Sequence, residues 1–176
     1  MKRVVPVREA MRTVVLTAIK GTNVARAAKL MAENNVGSIL VMEGKKPVGI
    51  LTERDLLMKV VSEDLKPSTV RVGRIMSAPL ITIDPDTDIV EAAKILANNK
   101  IRRLPVVKNG KLVGIVTASD IAVISPALAE IVAQPERYLE DRVDHSVCET
   151  CGEVTTDLYE VNGMWVCEHC RGTMSE

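Results

Sequence analysis

The sequence predicts an α/β fold in which one β-α-β-β-α unit occurs twice and a small metal-binding segment follows. Three observations support this prediction. Gly-Ile-Leu-Thr-Glu-Arg-Asp at residues 49–55 returns as Gly-Ile-Val-Thr-Ala-Ser-Asp at residues 114–120, within a longer gapless match at a spacing of 65. Residues 1–138 carry 21 Lys and Arg against 14 Asp and Glu, a net charge of +7, whereas residues 139–176 carry 2 against 9, a net of −7. All four cysteines lie in the acidic segment.

The first unit starts with an extended lead-in and a helical turn over residues 8–11. Apolar residues at strand and helix spacing then predict its elements. These are a strand over 14–17, a helix over 24–35, strands over 38–42 and 47–51, and a helix over 53–61. Thr22 and Asn23 offer an N-cap for the first helix. Residues 62–69 are polar, contain Pro67 and link the two units.

The second unit follows the same order. It is predicted to contain a strand over 80–83, a helix over 88–99, strands over 103–107 and 112–116, and a helix from 118. Ser125-Pro126 suits a further helix that continues to residue 133, and residues 136–141 add one or two helical turns. One unit cannot cover both faces of a three-stranded sheet, so we expect the two to pack sheet to sheet about a pseudo-two-fold axis. The predicted domains are 1–65, 66–133 and 134–176.

Composition narrows the class of protein. Hydrophobic residues make up 47% and aromatic residues 2%, with no Phe, so the core of the repeats must be aliphatic. A scarcity of aromatic platforms disfavours binding of single-stranded nucleic acid. No run approaches the ~20 apolar residues of a membrane helix, and the first residues lack the apolar region of a signal peptide. The spacing of the cysteine pairs indicates metal binding and not disulfides, which is typical of a reducing compartment. We therefore expect a cytoplasmic protein.

Thr52 and Thr117 each close a predicted strand where a helix starts. A helix start presents unpaired backbone N–H groups and a partial positive charge, which favour an anion. Asp55 and Asp120 lie in the first turn, where a carboxylate can accept both hydroxyls of a ribose. The same residues also fit a capping box, in which Thr and Asp bond the backbone of their own first turn. The residues alone leave both interpretations open.

Each predicted unit ends in the pattern Gly-h-h-Thr-x-x-Asp, where h is apolar, directly before a helix. Gly49 and Gly114 leave room there for another group to approach the backbone closely. Together with Leu-Pro-Val at residues 104–106, these patterns resemble a pair of CBS domains, or Bateman module, over residues 4–125. The resemblance implies a regulatory protein that binds adenine nucleotides or related adenosyl compounds, such as AMP, ADP, ATP or S-adenosylmethionine. It also implies a homodimer formed through the helices.

The resemblance further assigns parts of the ligand to residues. It places the ribose on the two Asp side chains, the phosphate on the two Thr and the residues before each Asp, and the adenine beside the first strand and the start of the second. The residues so assigned are Leu16, Val36, Gly37, Thr52, Arg54, Asp55, Ile81, Ile101, Arg102, Thr117, Ser119 and Asp120. Because Arg54 can pair with a phosphate in a bidentate way and Ser119 cannot, we expect two unequal sites.

The cysteines form two Cys-x-x-Cys pairs, at 148 and 151 and at 167 and 170, with 15 residues between the pairs. This spacing is typical of a structural zinc site, and Asn162-Gly163 predicts a hairpin with a type I′ turn between the pairs. Two knuckles joined by a hairpin resemble a zinc ribbon. Four thiolates leave no open coordination position, so the metal has no catalytic role. Iron, as in rubredoxin, is the alternative metal, and His145 and His169 are alternative ligands.

The sequence therefore predicts a regulatory protein rather than an enzyme. It shows no Ser-His-Asp set, no Gly-rich nucleotide loop and no open metal site. In this interpretation the repeats sense an adenine nucleotide and the metal segment contacts a partner protein or stabilises the assembly. Two alternatives stay open. One is an iron-binding electron-transfer protein regulated by the repeats, and the other is a nucleic-acid-associated adaptor, which the acidic segment disfavours.

Overall fold

The computed structural model describes residues 4–133 and 145–174. The chain divides into two compact units, one up to residue 134 and one from residue 135. The first contains both repeats and the second contains all four cysteines. Among the described helices, none has the length and apolar composition needed to cross a bilayer.

The first repeat forms a three-stranded sheet covered by helices. Its elements are β1 Thr17–Ile19, α1 Val24–Glu33, β2 Ser38–Glu43, β3 Lys46–Thr52 and α2 Glu53–Leu56, which continues as a π-helix over Leu57–Val61. β1 pairs in parallel with β2, and β2 pairs in antiparallel with β3. The Asn23 side chain accepts from the Arg26 N–H, so the predicted N-cap is confirmed. The first strand begins three residues later than the predicted 14–17, because its pairing starts at Thr17 with Leu40.

The second repeat has α3 Val72–Ile75, α4 Ile89–Asn98, β4 Arg103–Lys108, β5 Lys111–Thr117 and α5 Ala118–Ile124. Its predicted first strand, over residues 80–83, is wrong. It is reduced to one parallel bridge between Ile83 and Val106. The cause is Pro105, which has no N–H to donate. At the equivalent position in the first repeat, the Leu40 N–H donates to the Leu16 carbonyl at 2.9 Å.

The helix predicted after Ser125 is present in two parts. A 3₁₀ turn over Pro126–Leu128 leads into α6 Ala129–Ala133, with Pro at the first position. This end of the unit packs into the second repeat, since Leu128 and Val132 belong to its core. The helical turns predicted for residues 136–141 lie outside the described residues.

The lead-in of each repeat, residues 4–12 of the first and 70–77 of the second, packs against the other repeat. Val7 and Ala10 lie in the core of the second repeat, whereas Val70, Val72 and Ile75 lie in the core of the first. Each lead-in ends in an antiparallel bridge to the other repeat. Arg12 pairs with Ile115, and at the equivalent positions Ser77 pairs with Ile50. The two halves of the doubled fold are therefore completed by an exchange of segments, which the repeat pattern alone does not reveal.

The cysteine unit consists of short hairpins and one helix. Its elements are β6 Ser146–Val147, β7 Val154–Thr155, β8 Tyr159–Val161, β9 Met164–Val166 and α7 Glu168–Met174. The turn between β8 and β9 has positive φ at Asn162 (52°) and Gly163 (81°), as a type I′ turn requires, so this prediction is confirmed. The second cysteine pair does not lie in a second knuckle. Cys167 precedes α7 and Cys170 lies in its first turn.

Candidate ligand sites and metal centre

Both Thr-x-x-Asp patterns form a complete capping box. Thr52 Oγ1 accepts from the Asp55 N–H at 3.2 Å, and the Asp55 Oδ2 accepts from the Thr52 N–H at 2.9 Å and its hydroxyl at 2.6 Å. Thr117 and Asp120 repeat this pattern at 3.2, 3.0 and 2.6 Å. The cap therefore occupies one oxygen of each carboxylate, and the second oxygen, Oδ1, distinguishes the two sites.

Asp55 Oδ1 is bound by two side chains, one from its own helix and one from the lead-in of the second repeat. It accepts from Lys59 Nζ at 2.6 Å and from Ser77 Oγ at 3.0 Å. Lys59 also donates to the Ile75 carbonyl at 2.8 Å, and the Asp55 side chain is only 8% exposed. Burial acts to raise the pKa of Asp55, but the hydrogen bonds from Lys59, Thr52 and Ser77 together hold that pKa below its usual value.

Asp120 Oδ1 is bound by one exposed side chain. Arg12 donates to it from Nε at 3.0 Å and from Nη2 at 2.9 Å, although the Arg12 side chain is 68% exposed. Arg12 and Ser77 occupy equivalent positions in the two repeats, 65 residues apart. Each belongs to one lead-in and bonds the Asp of the other repeat. Arg12, Lys59 and Ser77 are not among the site residues predicted from the sequence. The i, i+4 spacing of Asp55 and Lys59 was a local signal for their ion pair. For Arg12 and Ser77 the signal was the Arg-to-Ser difference at equivalent positions.

Gly49 and Gly114 lie where these lead-ins cross the sheets. A Cβ on Gly114 would lie 2.8 Å from the Arg12 carbonyl oxygen, and one on Gly49 would overlap the Met76 side chain. The predicted close approach is therefore confirmed. It brings residues 11–12 and 76–77 against the strands that end in Thr117 and Thr52.

The other predicted ligand residues do not all lie near the two capping boxes. Val36 and Gly37 line a cavity of about 230 Å³ together with Glu53 and Leu56. A Cβ on Gly37 would lie 2.6 Å from Glu53 Oε2 and 3.2 Å from Arg103 Nη2, a residue that the sequence analysis did not assign. Burial lowers the pKa of Arg103, while Glu53 acts to raise it.

The remaining assigned residues lie at the surface or against a core. Arg54, Ile81, Arg102 and Ser119 are exposed. Leu16 and Ile101 are half-buried and pack against the cores of the first and second repeats, respectively. Among the described residues, these six do not come together in one site.

The four cysteines converge on one point. Their sulfur atoms lie within 4.8 Å of one another, and the Cys151 and Cys167 sulfurs are 3.7 Å apart. Sulfurs at about 2.3 Å from a tetrahedral zinc would be about 3.8 Å apart, so the residues fit such an ion. Cys148, Cys167 and Cys170 are buried and Cys151 is exposed. His145 and His169 are exposed and do not belong to this group.

The thiols perturb one another strongly. The pKa of Cys148 is lowered to about 6, and the largest cause is the hydrogen bond from the backbone N–H of Cys151. The Cys151 thiol, followed by burial, raises the pKa of Cys170 to about 12. Four adjacent thiols cannot all ionise without a cation, so a bound metal would be needed to hold them as thiolates.

The family model of the CBS domain matches the chain twice, at residues 7–62 and 72–125. An uncharacterised protein of Methanocaldococcus jannaschii is 42% identical over 182 residues, covering 94% of this chain and 92% of that protein.

Solved structures support the same relationship. A CBS domain protein of unknown function from Thermoplasma acidophilum aligns with a TM-score of 0.70 and 27% identity, covering 93% of this chain and 92% of its own. The CBS domain pair of protein MJ0100 aligns with a TM-score of 0.64 and 25% identity, covering 71% and 98%. That pair was solved in complex with 5′-methylthioadenosine and S-adenosyl-L-methionine.

Proposed function

The chain belongs to the CBS domain family, and from this premise we propose that it is a regulatory protein, not an enzyme, that binds an adenine nucleotide or another adenosyl compound. In this proposal the ribose lies on an Asp of the repeated pattern and a phosphate or other polar group lies at the adjoining helix start. The adenosyl ligands of the MJ0100 pair support the ligand class. We propose three domains, which are the two CBS units at 1–65 and 66–133 and the cysteine segment at 134–176.

The observation that carries this proposal is the contact between Asp120 and Arg12. The partner of Asp120 Oδ1 is a side chain that is 68% exposed. Exposed ion pairs contribute only about 0.2–1 kcal/mol, so a ribose diol can replace Arg12 at little cost. Asp55 Oδ1 has two partners, Lys59 and Ser77, so a ribose diol has to displace two groups at Asp55 and one at Asp120. The Asp120 site is therefore the first to fill.

Thermal unfolding tests the ligand class. The intact protein is heated with AMP, ADP, ATP or S-adenosylmethionine, and unfolding is followed by far-UV circular dichroism. A ligand present at a hundred times its Kd stabilises the folded state by about 2.7 kcal/mol and raises Tm, whereas GMP at the same concentration leaves Tm unchanged. A protein whose Tm responds to none of the four compounds is not an adenosyl sensor.

For the cysteine unit we propose a structural zinc ion held by Cys148, Cys151, Cys167 and Cys170. The ion supplies folding energy to a segment with a small core of its own, and the closed Cys₄ set gives it no catalytic position. Iron is the alternative, and with it an electron-transfer protein. An anomalous scan across the zinc and iron absorption edges of the purified protein distinguishes the two, and a red colour would favour iron.

We propose a homodimer that forms through the second helix of each repeat. This region leaves large apolar side chains exposed: Leu57 is 58%, Met58 53%, Val61 64% and Val123 82% exposed. Met58 and Val123 occupy equivalent positions, so the two helices offer similar surfaces. Val123→Glu should convert the dimer into a monomer in light scattering, and an unchanged mass would place the interface elsewhere.

A protein partner suits the cysteine unit better than a nucleic acid. Residues 139–176 carry a net charge of −7, and four thiolates with one Zn²⁺ add −2 more. We therefore propose protein contact or stabilisation of the assembly in the cytoplasm as its role. A gel shift with duplex DNA or RNA that persists as salt is raised would favour the adaptor alternative instead.

A further inference from the structure

A cavity of about 750 Å³ lies at the hairpin end of the first sheet. It is lined by residues of β1, α1 and β2, by the turn at Gly44 and Lys45, and by Lys111 of the second repeat. Thr52 pairs with Ser38, and Met42 of the cavity wall lies four residues further along β2. At about 3.3 Å per residue the two ends are about 13 Å apart, so this cavity is separate from the capping boxes.

The wall of this cavity is positively charged. It includes Arg26, Lys45 and Lys111, and none of its residues is acidic. Some cations elsewhere on the repeats have carboxylate partners, such as Lys29 with Glu33 at 3.7 Å. Over residues 4–133 and 145–174, the structure pairs none of the three wall cations with a carboxylate. Three like charges that face one cavity repel each other, and an anion between them would relieve this repulsion.

The second repeat provides an internal comparison. At the positions equivalent to Ile19, Gly21 and Arg26 it has Asp84, Asp86 and Glu91. There the acids are used by the chain itself, because Lys108 Nζ lies 3.2 Å from Asp84 and 2.5 Å from Asp86. Arg8 also pairs with Asp86. The first repeat has Arg26 where the second has Glu91, and at the position of Lys108 it has Glu43, which pairs with Lys20 at 3.3 Å.

The apolar and neutral polar residues that line the cavity define the ligand further. Leu30 and Met42 provide apolar contact area. The Thr22 hydroxyl accepts from the Ile19 N–H at 3.3 Å, which leaves its own proton free to donate. The volume lies within the range of about 300–1,000 Å³ that small-molecule sites occupy. These features suit a compact molecule with a carbon skeleton and more than one anionic group.

We propose that this cavity binds a small phosphorylated metabolite that carries at least two anionic groups, and that only the first repeat has such a site. The anionic groups lie between Arg26, Lys45 and Lys111, and the carbon skeleton rests on Leu30 and Met42. The site does not depend on adenosyl binding at Asp55 or Asp120.

The test is a titration of the intact, metal-loaded protein with pyrophosphate and with fructose 1,6-bisphosphate, followed by ¹H–¹⁵N NMR. Backbone amides of residues 17–19, 22, 44–45 and 111–112 should shift. Arg26→Glu, which installs the residue of the second repeat, should weaken binding at least about tenfold, a loss of about 1.4 kcal/mol. Lys111→Ala should weaken it as well. Lys46→Ala, next to the cavity but outside its wall, serves as the matched control and should change Kd less than about twofold.

Three results would overturn this proposal. The first is the absence of shifts at these amides with both probes up to about 5 mM, the range of weak binding. The second is a set of shifts centred on the amides of Thr52 and Thr117, which would place the anions at the capping boxes. The third is equal affinity of the wild type, Arg26→Glu and Lys111→Ala. None of these results would show that AMP fails to bind at Asp120, so the two proposals fail separately.

Discussion

At the scale of single residues, Asp55 and Asp120 each use one carboxylate oxygen for a helix cap and the other for a contact with the opposite lead-in. The sequence left open whether the Thr-x-x-Asp pattern caps a helix or holds a ligand. The structure shows complete caps at both sites, and each cap uses Oδ2 of its Asp. The remaining oxygen, Oδ1, is bound by a group from the opposite lead-in, Ser77 or Arg12. A ligand must therefore compete with that group and not with the cap.

Arg12→Ser tests this competition, because it places at residue 12 the side chain that the other repeat has at residue 77. In the variant, a ribose can bind Asp120 without breaking the ion pair between Arg12 and Asp120. The affinity for neutral adenosine should therefore rise about two- to fivefold. Calorimetry measures the change. Arg8→Ser, whose Arg pairs with Asp86 instead, is the control and should bind like the wild type. Weaker binding by Arg12→Ser would mean that Arg12 contacts the ligand.

Asp55 should contribute to stability in a pH-dependent way. Its pKa is lower in the folded state than the ordinary value of about 3.9, so its stabilisation is complete above that value and is lost as pH falls through the folded pKa. Asp55→Asn should reduce the free energy of unfolding by about 2 kcal/mol at pH 7, since Lys59 loses its partner but is itself partly exposed. Urea unfolding from pH 7 down to pH 3 measures this. A difference from wild type that stays constant below pH 4 would contradict the assignment.

The repeat pattern predicted Thr52, Asp55, Thr117 and Asp120 at helix starts because capping and strand ends are local in sequence. It could not predict their second partners. Ser77 lies 22 residues from Asp55, and Arg12 lies 108 residues from Asp120. Such contacts depend on which repeat each lead-in joins, and local periodicity carries no information about that choice.

At the scale of elements, short-range signals were sufficient for most helices and hairpins. The Asn23 cap and the Asn162-Gly163 turn appear as predicted. The failures have physical causes. Pro105 removes the N–H on which a parallel first strand of the second repeat would depend. The sequence predicts a knuckle where the helix after Cys167 lies, because Cys-x-x-Cys spacing is compatible with either a turn or the start of a helix.

Gly114→Ala tests the exchange of lead-ins. The new Cβ would lie 2.8 Å from the Arg12 carbonyl, a backbone atom that cannot turn aside, so the lead-in must shift. We expect the free energy of unfolding to fall by about 1–3 kcal/mol, as overpacking in a dense site typically does. In Gly21→Ala the new Cβ has no neighbour within 4 Å, and this control should change stability by less than about 0.5 kcal/mol. Equal effects of the two substitutions would argue against the close crossing.

At the scale of the whole molecule, the chain joins two units that differ in charge and in the source of their stability. The repeats depend on aliphatic cores, whereas the core of the second unit consists largely of its cysteines. The sequence predicted this contrast from the charge reversal and the cysteine spacing. It could not indicate that all four sulfurs would lie within 4.8 Å of one another, which is a property of the folded hairpins.

Removal of the metal should unfold the cysteine unit selectively. Trp165 is the only Trp of the chain and lies in β9 beside Cys167, so its fluorescence reports on this unit alone. In the proposed site the metal supplies the folding energy of the segment, so a strong chelator should lower the anisotropy of Trp165. It should also expose this side chain beyond its present 51%, which shifts the emission further to the red. Cys170→Ser should give the same emission without chelator. Emission that is identical with and without bound metal would mean that the unit folds unaided.

The most direct test of the central claim is calorimetric titration of the intact protein with AMP, carried out for the wild type, Asp120→Asn and Asp55→Asn. The account predicts that wild type binds AMP and that Asp120→Asn weakens binding at least about tenfold, because an amide accepts the ribose hydroxyls less strongly than a carboxylate does. Asp55→Asn should have the smaller effect on the first binding event. AMP binding that is unchanged by Asp120→Asn, or a wild type that takes up no AMP, would contradict the account.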